Sequence, residues 1–196
     1  MKRCLFLLPW LFLFFASRPE ETLLFALAVL IHEGGHLIAI VSFGVPIERF
    51  SLTPLGAEII SADPYLPYRK EIVISLAGPM AGLLFCGGLV FLLRQVFSAL
   101  ILYFFFCNLF LSLFNLLPAK GLDGGRALFS LLCQFSDHET ANSVLGAVHA
   151  ITVFLLTVLG ILLLKESRNP SLFCIALSLI FGEKEKKPRK SRSFFA

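Results

Sequence analysis

The sequence predicts an all-α polytopic membrane protein with about six transmembrane helices. Composition is the first observation behind this. Of 196 residues, 57% are hydrophobic and only 15% charged, against roughly 45–50% and 25% in ordinary soluble domains. The chain carries 22 Phe and a mean hydropathy of +0.85. The second observation is the alternation of membrane-length apolar runs with short polar connectors. The third is charge placement. With six spans and a cytosolic N-terminus, Lys2, Arg3, Arg49, Arg69, Lys70, Lys120, Arg126 and the six basic residues of the tail share the cytosolic side. Only Arg18, Arg94, Lys165 and Arg168 lie opposite, which obeys the positive-inside rule. Both termini are therefore expected in the cytosol.

The elements follow in order. Residues 4–16 are a short apolar segment, about 20 Å long as a helix against a bilayer core of about 30 Å. Lys2-Arg3 before it imitates a signal peptide, but Ala16-Ser17-Arg18-Pro19 lacks a small-residue cleavage pattern, so the segment is expected to be retained. A second helix is expected over 22–43, with Thr22 as N-cap and Gly44-Val45-Pro46 at its end. In 47–61 polar and apolar residues partly alternate, which reads as a strand or short hairpin. Tyr65 to Lys70 supplies interfacial anchors. Helices are expected over 71–93, which contains Ala77-Gly78-Pro79-Met80-Ala81-Gly82, and over 97–117, closed by Pro118. Residues 119–142 form the longest polar stretch in mid-chain. A further span is expected over 143–164 and a short apolar segment over 171–182. Residues 1–182 thus read as one membrane-embedded domain, and 183–196 as a basic cytosolic tail.

The net charge of +4 comes with no basic, aromatic-interleaved surface outside the tail, so no nucleic-acid partner is implied. The lipid bilayer is the partner that the composition demands. The five cysteines are scattered and lack any C-x-x-C, which indicates small buried hydrophobes rather than disulfides or a thiolate metal site.

The chemistry lies in His32-Glu33-Gly34-Gly35-His36, set within the apolar run Leu23 to Val41. Two histidines four apart sit one turn apart on one helix face, so both imidazoles can reach one zinc ion. Glu33 lies beside the open position. This is the arrangement of a zinc hydrolase, in which metal and carboxylate activate a water. Ionisable groups in a membrane-length apolar helix mark function. Catalytic zinc needs a third protein ligand. His138 sits in an expected solvated loop. His149 lies in an apolar helix, as a hydrogen-bonded packing residue or a functional one. Asp123 follows a proline-terminated helix and is flanked by glycines that allow close backbone approach; equally, it could cap a helix before Ala127.

His-Glu-Gly-Gly-His, followed by Asn115-Leu116-Leu117-Pro118 and Leu122-Asp123-Gly124-Gly125-Arg126, resembles the site-2 protease family of intramembrane zinc metalloproteases, in particular its stage IV sporulation protein FB-like branch. Pro54 to Ala57 and Ala77-Gly78-Pro79 match that family's membrane-associated hairpin and small-residue helix. The resemblance covers about residues 20–130. It implies a three-helix catalytic core and one zinc per chain, held by His32, His36 and Asp123. It also implies Glu33 as catalytic base and Asn115 in substrate positioning. The implied substrate is a membrane-tethered protein such as a sigma-factor precursor or anti-sigma factor, with regulatory membrane partners, in a bacterial cytoplasmic membrane. The chain departs from the family in reading Ala119-Lys120-Gly121 where more proline is usual, and no PDZ or cystathionine-synthase-type segment is recognisable.

Two other functions compete. A catalytically silent metal- or substrate-binding membrane protein would have no need of Glu33. A metal transporter would place His and Asp in membrane helices, but without need of the H-E-x-x-H order and a glycine-flanked aspartate.

Overall fold

The computed structural model describes residues 18–45, 47–53, 56–61 and 66–167, with positions 172, 176, 177, 179 and 180. Its elements are α1 (Pro19–Ser42), β1 (Ile47–Thr53), β2 (Gly56–Ser61), α2 (Tyr68–Gln95), α3 (Ala99–Asn115), α4 (Asp123–Leu132) and α5 (His138–Ser167).

Helix α1 starts three residues before Thr22. Pro19 fits the first turn, where its missing N–H costs nothing, and Glu20 and Glu21 face the positive end of the dipole. The Thr22 hydroxyl donates back to the Arg18 carbonyl instead of capping. The helix closes on Gly44 at φ +61, with the Val45 N–H reaching the Ile40 carbonyl. β1 and β2 pair antiparallel from Thr53↔Gly56 to Ile47↔Ser61, with an irregularity between Ile47 and Arg49. They form a two-stranded sheet, and β2 touches α1.

Helices α1, α2 and α3 pack on one another, and α4 packs on α2 and α5. Gly35 of α1 is the closest approach to α2: a Cβ there would lie 2.5 Å from the Ala77 carbonyl oxygen and 2.7 Å from the Ala81 Cβ. Ala28, Leu89 and Phe104 form a buried cluster joining α1, α2 and α3. Ala119, Leu122, Val153 and Leu179 form another, beneath the loop before α4. Leu23, Ile38, Leu84, Phe91, Phe110 and Phe154 are each at least 65% exposed, as lipid-facing side chains are.

The expectation of about six spanning helices is overturned. Among the described residues, three helices are long and apolar enough to cross a membrane: α1, α2 and α5. Helix α3 has 17 residues, about 26 Å, and so falls short of a core of about 30 Å. The expected segment 4–16, most of 171–182 and the tail 183–196 lie outside the described residues. The polar stretch 119–142 holds the 10-residue helix α4, not a plain loop. The catalytic core is not three helices either, because α4 brings a fourth element to the site.

Helix α5 begins five residues before its apolar run. Asp137 caps it, with Oδ2 accepting from the Glu139 and Thr140 N–H groups and Oδ1 from the Thr140 hydroxyl. Those bonds hold its carboxyl below the usual range. His138 is therefore the first residue of a helix rather than a loop residue. Its Nε2 is hydrogen-bonded with the Tyr68 hydroxyl at 2.6 Å, and its ring lies edge-on to Phe129.

Candidate metal centre

His32 and His36 lie on the buried face of α1, 4% and 9% exposed. Asp123 opens α4 after Leu122, which is fully extended at φ −100 and ψ 161. The turn before it needs Gly121 at φ +93, a conformation that glycine adopts without strain. Gly124 and Gly125 then pass so close to the carbonyls of Leu116, Leu117 and Ala119 that a Cβ on either would collide with backbone. The start of α4 is thus pressed against the 116–119 loop that follows α3, and Asp123 reaches the middle of α1 from 87 residues away.

Three donor atoms converge there. Asp123 Oδ2 lies 3.0 Å from His32 Nε2 and 3.1 Å from His36 Nε2. The two Nε2 atoms are 3.3 Å apart. Ligands at about 2.0–2.1 Å on a tetrahedral zinc are about 3.3 Å apart, so the triangle has the right size for three of four positions.

The ring of His36 is fixed from both sides. Nδ1 lies 2.7 Å from the Ile74 carbonyl oxygen, which can only accept, so Nδ1 carries the hydrogen. The lone pair of neutral His36 is then on Nε2 and faces a carboxylate oxygen. Acceptor facing acceptor is unfavourable unless a cation lies between them, and the donor set fits a zinc ion on that ground. On the far side of the His36 ring is Gly78 of α2, where any Cβ would overlap Nε2, Cε1 and Cδ2. Nδ1 of His32 is buried with no hydrogen-bond partner among the described residues.

Among the described residues, His32, His36 and Asp123 are the one group of His, Cys, Asp and Glu able to share an ion. The structure thus brings Asp123 to the histidines, and not His138 or His149. Glu33 is half-buried beside His32 on α1. Asn115 is the last residue of α3, where its Nδ2 donates to the Leu111 carbonyl at 2.9 Å, and it stands outside the ligand triangle. Sequence reasoning missed Ile74, whose contribution is a backbone carbonyl and leaves no trace in residue type. It also missed Gly78 as the seat of His36, although the Ala77-Gly78-Pro79 run was visible as a site of close approach.

Comparison with known proteins agrees with this arrangement. A zinc metalloprotease of Methanocaldococcus jannaschii is 28% identical over 170 residues, 83% of this chain and 48% of its own length. Stage IV sporulation protein FB of Bacillus subtilis is 34% identical over 119 residues, 59% of this chain and 41% of its own. The chain therefore spans about half, or less, of the length of these relatives. The fold is that of a solved site-2 protease from M. jannaschii, with a TM-score of 0.73 at 24% identity over 98% of this chain and 93% of that one. The profile of Peptidase family M50 matches residues 21–100 and 92–159, so it takes in both His32-Glu33-Gly34-Gly35-His36 and Asp123, and the chain belongs to that family.

Proposed function

We propose that this protein is an intramembrane zinc endopeptidase of the site-2 type. It would hydrolyse a peptide bond in or near the transmembrane segment of a membrane-tethered protein. The observation that carries the reading is the buried triangle of two imidazole nitrogens and one carboxylate oxygen at 3.0–3.3 Å, set in a membrane-length helix that also holds Glu33. Likeness to the zinc metalloprotease of M. jannaschii supports it.

His32, His36 and Asp123 would hold one zinc per chain. Bound there, zinc lowers the pKa of water toward about 7 and polarises a carbonyl. Glu33 accepts the proton of the attacking water and passes it to the departing amine, as one group serving in turn as base and acid. The substrate helix must unwind first, because its carbonyls are engaged in i to i−4 bonds. The β1–β2 sheet has two strands and hence two outer edges, either of which can take up an unwound segment by strand addition. Asn115, the last residue of α3, would position that segment.

The substrate class implied by the resemblance is a sigma-factor precursor or anti-sigma factor, with regulatory membrane partners, in a bacterial cytoplasmic membrane with both termini cytosolic. The test is cleavage of a single-span substrate by purified protein in proteoliposomes, with and without zinc. Zinc-dependent cleavage that Glu33→Gln reduces by at least about 10²-fold, with zinc retained, supports the reading. Equal cleavage by the two proteins, or zinc flux across the vesicle without cleavage, overturns it.

A further inference from the structure

We propose that His149 is a positioning residue, whose grip on the loop before Asp123 sets how firmly the centre retains zinc. The inference rests on Asp123 being a zinc ligand. His149 lies on α5, away from the triangle. The buried stripe of that helix runs through Ala141, Leu145, His149 and Val153, spaced four apart. His149, 5% exposed, is the polar residue among these four, and Ile151, Phe154 and Leu155 around it face outward.

The Lys120 backbone N–H donates to His149 Nδ1 at 3.2 Å. Nδ1 can accept only with its lone pair free, so the ring is neutral with its hydrogen on Nε2. Lys120 stands three residues before Asp123. The chain between them is a tight turn: Gly121 at φ +93, and the Leu122 N–H on the Ala119 carbonyl at 3.1 Å. The neighbours of His149 on α5 grip the same loop. Val153, one turn on, packs in the cluster with Ala119 and Leu122. The Lys120 ammonium lies beside Gly146, one turn back, 3.5 Å from where a Cβ would stand.

One face of α5 therefore meets the loop through a hydrophobic contact and a directional bond. The bond is what a hydrophobic residue could not supply. Without His149 the Lys120 N–H must find another acceptor, and a shift of the loop to reach one carries Asp123 with it. Losing an outer partner of a metal ligand typically lowers metal affinity about 10–100-fold, and His149 acts at one further remove, through the backbone.

The test is the rate at which zinc passes from detergent-purified, zinc-loaded full-length protein to a chromogenic chelator. Wild type is compared with His149→Leu, His149→Asn, His149→Gln and Asp123→Asn, and each is also melted in detergent. Asn carries its oxygen where His carries Nδ1, whereas Gln carries it one bond further out. The expected result is zinc release about 10-fold faster or more for His149→Leu and His149→Gln, and a rate close to wild type for His149→Asn. If His149→Leu does not fold, the Asn and Gln pair decides alone. Wild-type release rates for His149→Gln, or the same acceleration in the Asn and Gln variants, would overturn the positioning role. Full zinc retention by Asp123→Asn would instead overturn the ligand assignment beneath it.

Discussion

Replacing Gly78 with alanine should empty the metal centre without touching a ligand. The new Cβ would lie 2.6 Å from His36 Cε1 and 2.7 Å from Cδ2. Unbonded carbons rest about 3.5–4.0 Å apart, so relief needs a movement of about 1 Å. The ring cannot simply rotate away, because Nδ1 is tied to the Ile74 carbonyl at 2.7 Å, one turn back on the same helix. A zinc ligand tolerates a displacement of about 0.2 Å. Loss of an outer partner alone weakens metal binding about 10–100-fold, so moving the ligand itself should cost at least about 100-fold. That corresponds to about 2.8 kcal/mol. The assay is zinc titration against a competing chelator in detergent, with thermal melting as the check on folding. Gly87→Ala and Gly88→Ala are the controls. They lie on the same helix with no neighbouring atom within 4 Å of an added Cβ, and they should bind zinc as wild type does. Wild-type zinc affinity in folded Gly78→Ala would refute the reasoning.

The two glycines of the motif should behave in opposite ways. Gly34→Ala meets nothing within 4 Å and should leave zinc content and melting unchanged, whereas Gly35→Ala meets the backbone of Ala77 and the side chain of Ala81 and should lower the melting temperature. Asp123→Asn keeps shape but loses the anionic ligand, so metal analysis should find its zinc content far below wild type. Asp137→Ala should fray the start of α5, seen as faster amide exchange over residues 138–141. Because the folded carboxyl of Asp137 is depressed, its capping contribution is present above the usual carboxylate pKa of about 3.9 and lost as pH falls below it. The difference in exchange between wild type and Asp137→Ala should therefore shrink in acid.

His32, Glu33 and His36 were legible in the sequence because their relation is local, fixed by 3.6 residues per turn. Asp123 was legible only through the resemblance. A residue in a glycine-flanked turn reads equally as a cap, and its approach to α1 depends on how α4 lies against α2 and the 116–119 loop. Apolar length in the sequence reads as crossing, whereas α3, at 17 residues, is too short to cross. His138 reads as a loop residue in the sequence, whereas the Asp137 bonds to Glu139 and Thr140 make it the first residue of α5. Gly78, Ile74 and the bond from Lys120 to His149 were beyond a one-dimensional reading, since each is defined by a partner 29 to 42 residues away.

The depth at which Asp123 enters has a consequence for biogenesis. Helix α1 inserts early, with its two imidazoles in place, but the carboxylate that completes the triad is 87 residues behind His36. At about 5–20 residues per second, the ribosome needs roughly 4–17 s to reach it. The turn that carries Asp123 is then secured by His149, a further 29 residues on from Lys120, on a helix that must itself have entered the membrane. A nascent chain therefore passes through insertion with an incomplete metal centre. A chain stalled before Asp123 would lie in the bilayer among other membrane proteins with two of the three donors and no third.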